Sequence, residues 1–322
     1  MARKTERILV TGATGQIGSD LTLELRKSYG DENVVAAWYD KKPEWTLGEG
    51  PFEWLDVTDA RALRACLEQN NIGVVYHLAG LLSAIGERNP QLTWHVNVDG
   101  LHSVLKAGVE LGLRIFWPSS MAVFGDGVPR DNAPQEAVLA PSTIYGASKV
   151  AGELLCRYYY NKFGLDVRCV RYPGIISYKA LPGGGTTDYA VEIFYEAIKH
   201  GRYTCFVSKE TVLPMMYMPD AVKAAMDLMN ASGSQVVYRM GYNIAAFSFS
   251  AEELANEIRK HVPRFRCEYK PDFRQKIADS WPMALDDSLA RAQWGWRPSY
   301  DLAAMTSDMI ERLTERLRGR AP

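Results

Sequence analysis

The sequence predicts an α/β fold built on a doubly wound, mostly parallel sheet, and three observations carry that expectation. Five short apolar runs between residues 7 and 172 alternate with stretches of helical periodicity, the rhythm of successive βαβ units. The first run breaks at once into a turn with glycines at 12, 15 and 18. After Pro173 the rhythm gives way to shorter, less regular segments, which predicts a second and smaller unit.

Residues 7–11 are short and apolar enough for a parallel strand buried on both faces. Gly12-Ala13-Thr14-Gly15-Gln16-Ile17-Gly18 follows, and residues 20–29 then carry a helical pattern. In such a unit one glycine makes the tight turn, one admits a pyrophosphate close to the backbone, and one lets helix and strand pack closely. The helix start offers unpaired N–H groups and a positive dipole end to phosphate. This is a Rossmann-type dinucleotide signal, with Gly12, Gly15, Gln16 and Ile17 at the cofactor, although the spacing is G-x-x-G-x-x-G rather than G-x-G-x-x-G. The second run, residues 34–39, ends at Asp40, about 20 residues past the glycines, where a carboxylate accepts hydrogen bonds from the ribose of NAD and repels the 2′-phosphate of NADP. Lys41 and Lys42 come directly after it and leave some tolerance of NADP open.

Residues 41–51 form a connection, and Phe52-Glu53-Trp54-Leu55 leads to Asp56-Val57, with Thr58-Asp59 capping a helix over 60–69. Residues 74–80 make a buried strand with Leu78-Ala79-Gly80 at its carboxyl end, where ligands bind in open α/β sheets. Asp56, Val57, Leu78, Ala79 and Gly80 are therefore assigned to the cofactor. A helix containing Asn97 runs to about residue 111. Asn97 either holds backbone or water in a proton path or is merely structural. Residues 113–118 form a strand that ends at Ser119-Ser120, a helix opens near Tyr145 and reaches Phe163, and residues 167–172 form the next strand, ending at Tyr172. Tyr145 and Lys149 lie four apart, on one helix face. A neighbouring ammonium favours phenolate over phenol, so Lys149 is expected to lower the Tyr145 pKa from about 10 and make it a proton acceptor.

Beyond Pro173, residues 181–189 read as a flexible loop feeding a helix over 190–200, and Gly183-Gly184-Gly185 supply the backbone freedom of a closing lid. Residues 205–218 hold short strands, Pro219-Asp220 caps a helix to Met229, and residues 236–240 are strand-like. Ser250 caps a helix over 251–261, a strand lies around 266–269, Ser280-Trp281-Pro282 follows, and an amphipathic helix spans about 302–318. The expected division is a cofactor domain of residues 1–173 with 213–242, and a discontinuous α/β substrate domain of residues 174–212 with 243–322.

Composition narrows the function. The 37 Lys and Arg nearly balance the 38 Asp and Glu, so no polyanionic partner such as nucleic acid is indicated. Five cysteines at 66, 156, 169, 205 and 267 form no C-x-x-C pair, and the odd number argues against a disulfide framework. The five histidines show no metal-ligand spacing, so no metal is expected. No run approaches the roughly 18 apolar residues of a membrane span, and the first strand stands too near the start for a leader peptide. The expected compartment is the cytoplasm.

Six features thus stand at the carboxyl ends of strands: the glycine turn, Asp40, Asp56-Val57, Leu78-Ala79-Gly80, Ser119-Ser120, and Tyr145 with Lys149. Together they resemble the extended short-chain dehydrogenase/reductase family. Its T-G-x-x-G-x-x-G turn matches residues 11–18, its Tyr-x-x-x-Lys pair matches Tyr145 and Lys149, and its serine matches Ser120 within Pro118-Ser119-Ser120-Met121-Ala122-Val123-Phe124-Gly125. Residues 181–190, Leu81-Leu82-Ser83-Ala84, residues 215–220 and Asp279-Ser280-Trp281-Pro282 are similar to one branch, the short-chain-type L-threonine 3-dehydrogenases. The resemblance covers essentially the whole chain. It implies metal-independent oxidation of the C3 hydroxyl of L-threonine by NAD to 2-amino-3-ketobutyrate, with Tyr145 as base, Lys149 holding ribose and stabilising phenolate, and Ser120 fixing the substrate oxygen. Some relatives carry threonine at the position of Ser120; either hydroxyl donates and accepts. The cofactor set it implies also includes Asn97 and Tyr172.

For the substrate, Ser83, Met121, Gly184, Thr186 and Thr187 join Ser120 and Tyr145. Asp188 suits either an ammonium partner or the cap of the following helix, and Trp281 suits either closure over the substrate or ordinary packing. The resemblance further implies a homodimer through the helices at 98–111 and 145–163, where Tyr158-Tyr159-Tyr160 fits an interface or internal packing. Two alternatives stand beside this reading. A nucleotide-sugar 4-epimerase or dehydratase would need basic residues for a diphosphate, whereas the stretch after Pro173 is rich in Gly and Thr. A non-catalytic NAD-sensing protein would not need both Tyr145 and Lys149.

Overall fold

The computed structural model describes residues 7–40, 47–179, 183 and 185–319. Lys41, Lys42, Gly184 and residues 181–182 of the expected lid lie outside the described residues. The chain begins β1 (Arg7–Thr11), α1 (Gln16–Tyr29), β2 (Val34–Trp38), β3 (Phe52–Trp54), α2 (Ala60–Gln69) and β4 (Ile72–His77). Next come α3 (Ser83–Arg88), α4 (Pro90–Trp94), a π-helical turn His95–Asp99, α5 (Gly100–Leu111), β5 (Arg114–Ser120), a 3₁₀ turn Met121–Val123, α6 (Ile144–Phe163) and β6 (Asp166–Tyr172). The second half brings β7 (Gly174–Ile176), α7 (Tyr189–His200), β8 (Arg202–Cys205), β9 (Val212–Tyr217), α8 (Met218–Asn230) and β10 (Gly241–Asn243). It closes with β11 (Phe247–Ser250), α9 (Ala251–His261), β12 (Arg266–Tyr269), α10 (Phe273–Asp279), α11 (Ser288–Trp294) and α12 (Leu302–Arg318).

Seven strands form one sheet in the order β10-β6-β5-β4-β1-β2-β3, every pairing parallel. The order reverses between β1 and β4, and such a switch point opens a crevice at the carboxyl ends of the strands. The glycine turn leaves β1 there and Leu78 leaves β4 there. Alternation along each strand splits the core in two. Ile8 and Val10 pack with α1 and α8 residues such as Leu21, Leu25, Ala221 and Leu228. Leu9, Val35 and Val75 pack on the other face with Leu101, Leu105 and Cys156 of α5 and α6. A third core, around Tyr189, Phe194, Phe249, Leu254 and Met309, joins α7, α9 and α12. It lies beside the β11-β9-β7 and β12-β8 sheets.

The structure departs from expectation in three places. Residues 52–54, which the sequence left without an element, are an edge strand of the main sheet; the strand is only three residues long and exposes Phe52 (37 %) and Trp54 (58 %), so it lacks the apolar run of a buried strand. The strand expected at 236–240 forms instead at β10. The amides of Val237 and Tyr238 donate to the side chains of Gln293 and Tyr242 rather than to a ladder. Asp220 does not cap α8. It lies inside the first turn, and its carboxylate accepts from the amides of Ser299 (2.8 Å) and Tyr300 (3.1 Å), pinning the approach to α12. Asp59 caps α2 and Ser250 forms a full capping box with Glu253, as the sequence leads one to expect.

Candidate active site

The glycine turn is shaped by what a side chain would strike. Gly12 has φ of +67°, and a Cβ there would lie 2.8 Å from the amide nitrogen of Ala79, so the turn after β1 presses on the end of β4. A Cβ on Gly18 would lie 2.1 Å from the Gly12 carbonyl oxygen, which seats α1 directly on the turn. Gly15 begins α1 with no side-chain cap and no acidic residue in the first turn, which puts Gln16 and Ile17 at an open helix start. Asp40 follows β2 and is exposed. Asp56 accepts from the amide (2.9 Å) and hydroxyl (2.7 Å) of Thr58 in a tight turn, and Val57 is buried.

A link missed by sequence reasoning ties β1 to β4. Thr11 Oγ1 pairs with His77 Nδ1 at 2.8 Å and accepts from the amide of Ala79 at 3.3 Å, while Leu78 N donates to Thr11 O. Burial, then the charge of Lys149, pushes the His77 pKa down to about 3, so the imidazole is neutral. The one signal in the sequence is a polar residue ending each of two apolar strands.

Asn97 lies in the π-helical turn, an irregularity common at functional sites. Its Oδ1 accepts from Leu81 N (2.8 Å), and its Nδ2 donates to Leu81 O (3.1 Å) and Ser148 Oγ (3.2 Å). Ser148 Oγ in turn donates to Tyr145 O at 2.7 Å. Asn97 thus joins the chain leaving β4 to the first turn of α6.

That turn brings Tyr145 to Ser120. The Ser120 side chain lies near enough to the phenol to favour its ionised form, and Ser120 accepts from Ala122 N at 3.2 Å. The approach depends on Gly146, where a Cβ would lie 2.3 Å from the carbonyl oxygen of Ala122, and on Gly152, where one would enter the Trp117 ring at 2.2 Å. Neither glycine was singled out by sequence reasoning; their mark is two glycines inside one helix, on the side facing β5.

The expected effect of Lys149 on Tyr145 is corrected by the geometry. Lys149 Nζ donates to Pro118 O at 2.7 Å and lies over the Trp117 ring (4.6 Å), farther from the Tyr145 ring centre (5.6 Å). Burial of the Tyr145 hydroxyl pushes its pKa up to about 12, offset in part by the nearby Ser120 side chain, although part of the residue stays exposed. Burial also pushes Lys149 down to about 8, against the opposing pull of Cys169, Cys156 and Glu153.

The remaining residues divide. Ser83 and Met121 are buried beside the ends of β4 and β5. Tyr172 ends β6, but its ring is buried and its hydroxyl donates to Ala221 O at 2.6 Å. Thr186 is 1 % exposed, and its Oγ1 has no partner among the described residues. Thr187 packs against Gly174. Asp188 stands at the start of α7 without capping it; it turns back to accept from Gly185 N at 2.6 Å. Gly183 meets Leu82, and Trp281 is buried in the third core, against which the Tyr145 ring also packs.

Against known proteins, residues 8–245 match the NAD dependent epimerase/dehydratase family. The chain belongs to that family. The chain is similar to the mitochondrial L-threonine 3-dehydrogenase of Bos taurus, 47 % identical over 306 residues, 95 % of this chain and 82 % of that protein. An L-threonine dehydrogenase structure from Phytophthora infestans superposes with a TM-score of 0.94 at 49 % identity, covering 97 % of this chain and all (100 %) of the other. A monomeric L-threonine 3-dehydrogenase of metagenomic origin gives 0.93 at 48 % identity, covering 96 % and 99 %. This epimerase/dehydratase family is NAD dependent, and the cradle left by Gly12 and Gly18 beside the uncapped start of α1 fits a dinucleotide.

Proposed function

We propose that this protein oxidises the C3 hydroxyl of L-threonine, with NAD, to 2-amino-3-ketobutyrate. The observation that carries the reading is the juxtaposition of Ser120 and Tyr145, with Lys149 one helical turn on, in a chain so similar to L-threonine 3-dehydrogenases. Gly12, Gly15, Gln16 and Ile17 would hold the pyrophosphate and Asp40 the adenosine ribose. Asp56, Val57, Leu78, Ala79, Gly80 and Tyr172 would line the rest of the cofactor. When bound, NAD supplies the hydride acceptor.

Tyr145 takes the hydroxyl proton, and Ser120 holds the same oxygen; positioned acid–base help of this kind contributes roughly 10²–10⁴-fold. Lys149 binds the nicotinamide ribose, and Asn97 keeps the first turn of α6 in register with the Leu81 chain. Thr186, whose hydroxyl has no partner among the described residues, and Thr187 meet the amino acid together with Ser83, Met121, Gly184 and the α7 amides. Asp188 is offered to the ammonium and Trp281 to water exclusion. Residues 174–212 and 243–322 serve as the substrate domain, and residues 1–173 and 213–242 as the cofactor domain.

The same reading includes a cytoplasmic homodimer. Leu154 (54 %), Tyr158 (53 %) and Phe163 (48 %) on α6 and Val109 (37 %) on α5 are exposed apolar side chains, and a patch of this kind supports an interface. Of the tyrosine run only Tyr158 is offered to it: Tyr159 is buried and Tyr160 lies under Arg239 at 4.2 Å. Among the described residues no helix is long and apolar enough to cross a membrane.

The test is NADH formation by the purified protein with L-threonine, against UDP-glucose as the nucleotide-sugar control. NADH with L-threonine alone is the expected result. Folded, NAD-bound protein that forms none at alkaline pH would overturn the reading.

A further inference from the structure

One turn beyond Lys149 on α6, Glu153 is fully buried (0 %) and faces Arg171 of β6, itself 1 % exposed. The pair is bidentate, Nε to Oε1 and Nη2 to Oε2, both at 2.8 Å. Burying two charges costs more than their attraction returns unless further hydrogen bonds complete the site. Here they do. Ser119, the neighbour of Ser120, donates Oγ to Glu153 Oε1 at 2.6 Å. Arg171 Nη1 donates to Gln135 O (2.9 Å) and Asn243 Oδ1 (3.1 Å). Asn243 Nδ2 donates to Ala133 O at 3.2 Å. Ala133 pairs with the stretch after Trp281: its amide donates to Ala284 O and its carbonyl accepts from Asp286 N, both at 2.9 Å.

This ion pair therefore reaches the helix of Tyr145 and Lys149, the strand of Ser120, and the segment that follows Trp281. We propose that Glu153 and Arg171 are positioning residues for the reaction: Glu153 holds α6 against β5 so that Tyr145 and Ser120 meet, and Arg171 extends the same restraint to the chain after Trp281. The proposal rests on the reading of Tyr145 and Ser120 as the reacting pair. Glu153 touches neither, so its effect on turnover passes through the placement of α6.

Glu153→Ala would leave a guanidinium unpaired in the core and unfold the protein, so two milder variants carry the test. Ser119→Ala removes one hydrogen bond to Glu153, and Glu153→Gln combined with Arg171→Met removes both charges at similar volume. Turnover is measured per NAD-bound site, and hydrogen exchange of amides 145–149 is followed in the NAD complex without substrate. The expected result is a kcat lowered roughly tenfold, as for misplaced reacting groups, with KM and NAD affinity unchanged. Amides 145–149 exchange faster, while those of α1 do not change. Should the double variant fail to fold, Ser119→Ala alone decides. Folded variants with wild-type kcat per site, or with unaltered exchange at 145–149, overturn the proposal. A wild-type protein inactive on L-threonine would sink the functional reading alone, because the exchange measurement needs no substrate.

Discussion

Lys149 donates its ammonium to the carbonyl oxygen of Pro118 at 2.7 Å, and so spends its strongest contact on the end of β5 rather than on the phenol of Tyr145. Tyr145 consequently keeps a pKa pushed up to about 12 by burial, and Lys149 one pushed down to about 8. The phenolate fraction then grows with every unit of pH across the neutral range. Turnover is expected to rise about tenfold per pH unit in its lower limb, while NAD affinity weakens above about pH 8 as Lys149 loses its proton. A pH profile of kcat/KM, with NAD binding followed separately, checks both limbs.

Tyr145→Phe keeps the ring and removes the hydroxyl. Turnover should fall by roughly 10²–10⁴-fold, with NAD affinity retained. Fluorescence titration with NAD alongside the steady-state assay separates the two effects.

Thr186 offers a contrasting case, because its buried hydroxyl has no partner among the described residues. Thr186→Val removes a desolvated polar group and should leave stability unchanged or raise it by about 1 kcal/mol. The same change should raise KM for the amino acid with little loss of kcat. Unchanged KM in a denaturant-stable variant would remove Thr186 from the substrate site.

Gly146→Ala forces a Cβ to within 2.3 Å of the Ala122 backbone, which no rotamer can relieve. The cost should be about 1–3 kcal/mol in urea melts, the usual range for overpacking. Turnover per folded molecule should drop as well, because the displaced atoms lie between Tyr145 and the turn after Ser120.

His77 sets an acid limit on stability. Its folded pKa of about 3 lies below the ordinary 6.5, so the neutral ring's contribution is complete above pH 6.5 and is lost as pH falls towards 3. Between pH 7 and 5 this single group should withdraw about 2 kcal/mol. Urea melts of the wild type and of His77→Gln over that range should differ in slope, with the variant flatter.

Much of the frame was legible because its signals are local. The glycine turn, Asp40 and the Tyr145–Lys149 pair stand at fixed spacings within single strand–turn–helix units. What escaped joins distant parts of the chain. Thr11 finds His77 across 66 positions and Arg171 finds Asn243 across 72, and no periodicity announces either. Asp220 misled for a related reason: Pro-Asp reads as a helix cap, yet its carboxylate serves amides 79 and 80 positions away. The relation of Lys149 to Tyr145 was misjudged because spacing gives proximity but not the competing acceptor, Pro118 O.

The π-helical turn at His95–Asp99 sets the phase between Asn97 and the rest of this helix. Such a turn holds one residue more than an α-helical course, and each residue rotates the following side chains by about 100°. Deleting a single residue there would wind α4 and α5 into one regular helix. Asn97 would then swing out of phase with Leu81 and Ser148, while the apolar face of α5 kept its seat on the sheet. The fold is expected to survive the deletion and the alignment of α6 with the chain after β4 is not.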